Sequence, residues 1–100
     1  MASRGRHRRS SRKRKSRLGR LPKQIALGRG YVVRVFLVTP TQMAEILEID
    51  DKDTVAGFWD DEEWAIYIDS SLSVKGQWEA YFHELIHAVH DTAEINRGGI

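Results

Sequence analysis

The hydrophobic and polar positions of residues 24–100 follow the period of a strand in some stretches and that of a helix in others. Residues 31–38 (YVVRVFLV) carry the strongest strand pattern, because they are rich in β-branched side chains and lie between Gly30 and Pro40. Residues 28–30 (GRG) favour a turn, so the first strand is expected to begin after them.

A helix is predicted directly after this strand. Thr39 can cap its first turn, Pro40 suits the first helical position, and Gln42 completes a capping box. Apolar residues follow at helical spacing, and the helix is expected to end near Glu48, before a polar run.

A β-hairpin is predicted next, with strands at residues 54–59 and 64–69. Its tip is the run of four acidic residues at 60–63. Trp59 and Trp64 flank this tip and are expected to pair across the two strands. An exposed tip of this composition is usually a solvated turn, so we interpret the acidic run as a turn rather than as a cation site.

The last predicted helix runs from about residue 74 to residue 91 or slightly beyond, with Ser73 as its N-cap. At ~100° per residue, apolar side chains share one face of this helix and histidines share the opposite face. The apolar face comprises Trp78, Phe82, Leu85 and Val89, and the opposite face comprises His83, His87, His90 and Glu94.

Residues 1–23 have a different composition and are predicted to form a disordered basic tail. They contain 11 of the 16 Lys and Arg residues and no acidic residue. Residues 24–100 hold the other 5 basic and all 14 acidic residues, so the net charge of +2 divides into +11 and −9. Because such a tail cannot bury enough apolar surface to offset its ordering entropy, we expect one folded domain at residues 24–100.

The charge of the tail indicates a possible contact with nucleic acid. Residues 4–20 carry enough cations for non-specific binding of phosphates through counterion release. No aromatic side chain is interleaved among them, so base stacking and sequence readout are not expected. The alternative is a solubilising tail that lies against the acidic remainder of the chain.

The composition also limits the compartment. The chain has no cysteine, which excludes disulfides and Cys-based zinc sites and fits a reducing interior. No stretch is apolar enough to cross a membrane, and the tail lacks the apolar centre of a secretory signal. We therefore expect a cytoplasmic protein without membrane contact.

His83 and His87 lie four positions apart on the last predicted helix, which places their imidazoles one turn apart. This is the spacing of the His-Glu-x-x-His motif, in which both imidazoles bind Zn²⁺. In such a site Glu84 takes a proton from the zinc-bound water and passes it to the leaving amine. The metal lowers the pKa of that water and polarises the scissile carbonyl. The alternative is a solvated polar helix face without metal.

Three stretches around the motif resemble the ImmA/IrrE-like metallopeptidases, especially the short versions encoded by phages and prophages. They are residues 57–60 (GFWD), 64–72 (WAIYIDSSL) and 77–88 (QWEAYFHELIHA). The resemblance covers about residues 55–90, with a weaker fit back to Tyr31. It implies an α+β, minimal zincin-like fold, in which a small antiparallel β-sheet packs on a C-terminal active-site helix. It also implies His83 and His87 as zinc ligands and Glu84 as the general base.

The third zinc ligand is not evident from the motif. In the resembled family it is usually an acidic residue of a later helix, and this chain ends 13 residues after His87. The candidates are His90, Asp91 and Glu94. Glu94 is favoured because it gains reach if the helix unwinds after Asp91, whereas His90 requires the helix to bend or end. A ligand from another subunit is a further alternative.

These patterns predict a zinc-dependent peptidase that hydrolyses a protein substrate. By resemblance, that substrate is a protein such as a DNA-bound repressor, and the basic tail keeps the enzyme near nucleic acid. The main alternative is a non-catalytic nucleic-acid-binding protein with at most a structural metal. An inactive remnant or an antitoxin-like interaction protein is the third interpretation.

Overall fold

The computed structural model describes residues 19–50 and 54–98, with side chains up to residue 95 in the last helix. The elements in chain order are β1 (Gln24–Gly28), β2 (Tyr31–Val38), α1 (Pro40–Leu47), β3 (Gly57–Asp60), β4 (Ala65–Asp69) and α2 (Val74–Gly98). Most of the predicted tail, residues 1–18, lies outside the described residues. No helix in the described ranges is long and apolar enough to span a bilayer.

The four strands form one sheet in the order β1-β2-β4-β3, and α2 packs against β3 and β4. The predicted α+β class, with the sheet packed on the C-terminal helix, is therefore confirmed. The expectation of a wholly antiparallel sheet is wrong at its centre, where β2 and β4 run parallel and Arg34 lies opposite Ala65. Parallel neighbours need a long crossover, and α1 together with β3 supplies it between β2 and β4.

Strand β1 precedes the first strand that the sequence predicts. It pairs antiparallel with β2, and Gly28, Arg29 and Gly30 close the hairpin with positive φ angles of 89°, 55° and 83°. The turn signal in the sequence was therefore correct, but it lies inside a hairpin rather than before the first strand. Strand β1 was missed because Ile25 and Leu27 alone provide its apolar alternation.

Helix α1 begins and ends where its local sequence predicts. The backbone N–H of Gln42 donates to Thr39 Oγ1 at 3.1 Å, and the backbone N–H of Thr39 donates to Gln42 Oε1 at 2.9 Å. These two bonds confirm the capping box, and Pro40 occupies the first turn. The helix ends at Leu47, and Glu48 follows with a left-handed φ of 56°.

The main core lies between α2 and the face of the sheet that α2 covers. Its buried members are Leu21, Val33, Val35, Ile66, Ile68, Ala80, Tyr81 and Ala88. Burial raises the pKa of the Tyr81 hydroxyl. Two of the three core residues that α2 provides are alanines, so the helix backbone can lie close to the sheet.

The apolar face predicted for α2 is covered only in part: Trp78 and Leu85 pack against the core, but the other two residues of this face are exposed. Phe82 and Val89 are 52% and 49% exposed, and Ile86 beside them is 68% exposed. The buried side of the helix is formed instead by Ala80, Tyr81, Glu84 and Ala88. The consequence is that Glu84 of the motif is turned toward the sheet, while an apolar stripe faces outward.

Candidate metal centre

The start of α2 is fixed by two local turns. A carboxylate oxygen of Asp69, at the end of β4, accepts hydrogen bonds from the backbone N–H and the hydroxyl of Ser71 at 2.8 and 2.7 Å. The hydroxyl of Ser73 accepts from the backbone N–H of Gly76 at 3.1 Å, which confirms Ser73 as the N-cap. Because β4 and α2 are joined by this short turn, the helix folds back along the sheet.

His83 and His87 are both exposed, and their rings lie side by side one helical turn apart. The two Nε2 atoms are 3.4 Å apart. Two nitrogens bound at ~2.0–2.1 Å to one tetrahedral zinc ion lie ~3.3–3.4 Å from each other, so the pair fits two neighbouring corners of such a site. The same distance also allows a hydrogen bond between the rings when one Nε2 is protonated.

Glu84 lies on the sheet side of this pair and is 9% exposed. It packs beneath Gly57, the first residue of β3. A Cβ at Gly57 would lie 3.1 Å from Glu84 Cγ and 3.4 Å from Glu84 Oε2. Because Gly57 has no side chain, the side chain of Glu84 can occupy this space.

The carboxylate of Glu84 is nevertheless not sealed from solvent. Among the described residues, no buried side-chain oxygen or nitrogen lacks a hydrogen-bond partner, and none of the side-chain hydrogen bonds of these residues involves the carboxylate of Glu84. Its oxygens must therefore keep some contact with solvent. A carboxylate that is held by packing and still reaches water can exchange a proton with that water.

A second contact holds β3 along the same side of α2. Trp59 Nε1 donates to Asp91 Oδ2 at 2.6 Å. Gly57 and Trp59 lie two apart on one face of β3, and Glu84 and Asp91 lie two turns apart on one face of α2. Strand β3 thus runs beside the motif, anchored at both ends.

Sequence reasoning missed the contacts that Gly57 and Trp59 make with α2. The alternation of β3 residues predicts which of them share a face of the strand. It does not identify their partners on α2, because those are about 30 positions away in the sequence. The rings of Trp59 and Trp64 meet edge-on with 5.9 Å between their centroids, but the predicted cross-strand pairing is wrong, because Trp59 lies opposite Ile66 and Trp64 precedes β4.

The structure does not bring the proposed third ligand to the histidine pair. Helix α2 continues without a break to Gly98, so the unwinding on which Glu94 depended does not occur. Glu94 lies seven residues, or about 10 Å along the axis, beyond His87. Asp91 is engaged by Trp59, and His90 is exposed on the same continuous helix.

The donor set of the described residues is therefore incomplete. Within residues 19–50 and 54–98, no group of three or more His, Cys, Asp or Glu side chains is placed to hold a metal ion. The two imidazoles fit two corners of a zinc site, and no third ligand lies beside them within the described residues.

The acidic hairpin tip has a role in closing its own turn. A carboxylate oxygen of Asp60 accepts hydrogen bonds from the backbone N–H groups of Glu62 and Glu63, at 3.0 and 3.2 Å. Burial, followed by the charges of Asp60 and Glu63, raises the pKa of the nearby Tyr67 hydroxyl. These contacts agree with the interpretation of the tip as a turn.

Gly57→Ala is expected to destabilise the domain by about 1–3 kcal/mol, because the new Cβ overpacks a filled space. It would lie 3.1 Å from both Glu84 Cγ and Ile68 Cδ1. Urea denaturation measures the loss, and Ile68→Val is the matched background because it removes the crowded Cδ1. The cost of Gly57→Ala should be smaller in that background, and an equal cost would mean that crowding at Ile68 is not its cause.

Comparisons with protein-family models, with curated proteins and with solved structures find no match to this chain. The resemblance to the ImmA/IrrE-like metallopeptidases therefore rests on residues 57–60, 64–72 and 77–88, and the structural evidence on function is the geometry around His83, Glu84 and His87.

Proposed function

We propose that this protein is a zinc-dependent peptidase that hydrolyses a protein substrate. The observation that carries the proposal is the pair of exposed imidazole nitrogens 3.4 Å apart, one turn apart on a helix that places Glu84 beside them. In this proposal His83 and His87 hold the zinc ion, and Glu84 is the general base. The remaining ligand comes from another subunit or from residues outside the described ranges.

The packing of Glu84 supports its proposed role in proton transfer. Bound zinc would supply a Lewis acid that polarises the scissile carbonyl and lowers the pKa of the attacking water. Glu84 would accept a proton from the attacking water at its carboxylate and would later donate it to the leaving amine. Packing beneath Gly57 restricts the Glu84 side chain, so less conformational freedom is lost when substrate binds.

No strand of the described residues pairs with the outer edge of β3, and this edge offers a place for an extended substrate. In the antiparallel register with β4, the backbone N–H of Asp69 donates to the carbonyl of Ala56, so alternate residues of β3 point toward β4. The backbone groups of Gly57 and Trp59 therefore point away from the sheet, along the edge beside Glu84. A substrate strand can pair with them and bring its scissile bond to the motif.

The partner and compartment follow from the same proposal. A protein substrate such as a DNA-bound repressor would bring the enzyme to nucleic acid, and the cations of residues 4–20 would strengthen that contact. We place this activity in the cytoplasm, where a chain without cysteines loses nothing to reducing conditions.

Zinc titration of the full chain tests the metal site. We expect one zinc ion per chain, and we expect His83→Ala or His87→Ala to weaken its binding more than about 100-fold, since each removes a direct ligand. His90→Ala and Glu94→Ala are the matched controls on the same helix and should leave the affinity unchanged. Competition with a chromophoric chelator gives the affinities.

Two results of this titration would contradict the proposed zinc site. If the parent chain binds no zinc, or if binding survives the loss of both His83 and His87, then the metal site and the peptidase proposal fall together. If Glu94→Ala weakens binding as strongly as His83→Ala, helix α2 does not remain continuous in the zinc-bound protein.

A further inference from the structure

A notch interrupts the sheet at the edge opposite β3. Strand β2 continues to Val38, but its neighbour β1 begins only at Gln24, which lies opposite Arg34. The last contact of this ladder is the hydrogen bond from the backbone N–H of Val35 to the carbonyl of Lys23, at 2.8 Å. Before that point the chain leaves the ladder at Pro22, which has no N–H to donate, and Leu21 enters the core.

The backbone of Leu37 faces this notch. Arg34 N–H donates to the carbonyl of Trp64, and the carbonyl of Val38 accepts from Ser70, so even-numbered residues of β2 point toward β4. Odd-numbered residues point the other way, as the bond from Val35 to Lys23 shows. The N–H and C=O of Leu37 therefore face the side on which no strand of the described chain lies.

An apolar groove with a cationic rim accompanies this open backbone. It has a volume of about 490 Å³, within the usual range of ligand sites. Its apolar lining includes Leu21, Pro22, Phe36 and Leu37, and the last two are 40% and 47% exposed.

Three cations surround the groove, namely Arg20, Lys23 and Arg34. All three are exposed, and none of them forms an ion pair with an acidic side chain of the described residues. The rim is thus an unneutralised positive patch on a domain whose residues 24–100 carry 14 acidic and 5 basic residues.

We propose that this groove binds an extended, acidic peptide segment of a partner protein. The peptide adds as a short strand beside Leu37, places an apolar side chain in the groove, and directs its carboxylates at Arg20, Lys23 and Arg34. The three features select this occupant together. A free strand edge requires a peptide backbone, the lining requires an apolar side chain, and the rim requires negative charge.

This docking site is independent of the proposed peptidase activity. The sheet order β1-β2-β4-β3 places the notch on one side of the sheet and the edge next to Glu84 on the other. Occupation of the notch therefore leaves the motif open, and failure of either proposal says nothing about the other.

The test uses the full chain and a fluorescent, end-blocked heptapeptide of alternating aspartate and leucine. We expect fluorescence anisotropy to show saturable binding that weakens with added salt. Lys23→Gln combined with Arg34→Gln should lower the affinity about five- to tenfold, since both side chains are exposed rim charges. Lys75→Gln, which removes an exposed charge on α2, is the matched control and should have no effect.

Two further probes, a methylated peptide and an oligonucleotide, distinguish binding of a peptide strand from other kinds of binding. N-methylation of the central peptide amides should lower the affinity by at least about tenfold, because it removes the strand hydrogen bonds. The proposal is overturned if methylation has no effect, or if the double variant binds the parent peptide as tightly as the wild type does. It is also overturned if a single-stranded oligonucleotide displaces the peptide at equal concentration, because the rim then recognises phosphate rather than a strand.

Discussion

Glu84→Gln should abolish peptide hydrolysis and leave zinc binding intact. Glutamine has nearly the same shape as glutamate and fills the space beneath Gly57, but its amide cannot take a proton from water. Loss of a general base typically costs about 10²- to 10⁴-fold in rate. The helix, the two imidazoles and the anchoring of β3 are all unchanged by this substitution.

The measurement starts with the zinc-loaded parent and a peptide library made from denatured proteins. New termini identified by mass spectrometry give a cleaved sequence, and its rate is then compared between the parent and Glu84→Gln. Glu79→Gln is the matched control, because it makes the same chemical change at an exposed position on the same helix. A parent that cleaves nothing, or a Glu84→Gln variant that cleaves as fast as the parent, would contradict the proposed mechanism.

Ile66→Ala should be the most damaging substitution for stability. Ile66 is fully buried at the centre of β4, between Val35 on β2 and Trp59 on β3. Removing three carbons there leaves a cavity between the sheet and α2, and such changes cost about 2–5 kcal/mol. Because small domains are only marginally stable, a loss of this size leaves much of the population unfolded near 37 °C.

Urea denaturation at 25 °C measures this loss, and Ile86→Ala is its matched control. Ile86 is 68% exposed on the outer face of α2, so the same change should cost less than about 0.5 kcal/mol. If Ile66→Ala costs as little as Ile86→Ala, then β4 is not the centre of the core.

The features that were predictable from the sequence are those fixed within a few residues. The capping box of Thr39 and Gln42, the N-cap at Ser73 and the strand at residues 31–38 each depend on neighbours in the chain. The histidine pair belongs to this group as well, because a spacing of four residues on a helix determines that the rings meet.

The features that were missed depend on distant partners. The parallel pairing of β2 with β4 requires the β3–β4 hairpin to pack beside β2, and no local sequence pattern predicts this arrangement. The orientation of α2 was misjudged because hydrophobicity alone selects Phe82 and Val89. The sheet instead accepts the small side chains of Ala80 and Ala88, and Gly57 leaves room for Glu84.

The parallel seam between β2 and β4 also has a consequence for the order of folding. The two hairpins that flank it join residues close in sequence, whereas the first seam pair, Arg34 and Ala65, lies 31 positions apart. Bringing these two residues together lowers the conformational entropy of the chain before the stabilising contacts between the strands have formed. We therefore expect both hairpins to form early and the pairing of β2 with β4 to form late. The segment from β3 to α2 holds Gly57, Glu84 and both histidines, so its local geometry can be established before the N-terminal hairpin docks.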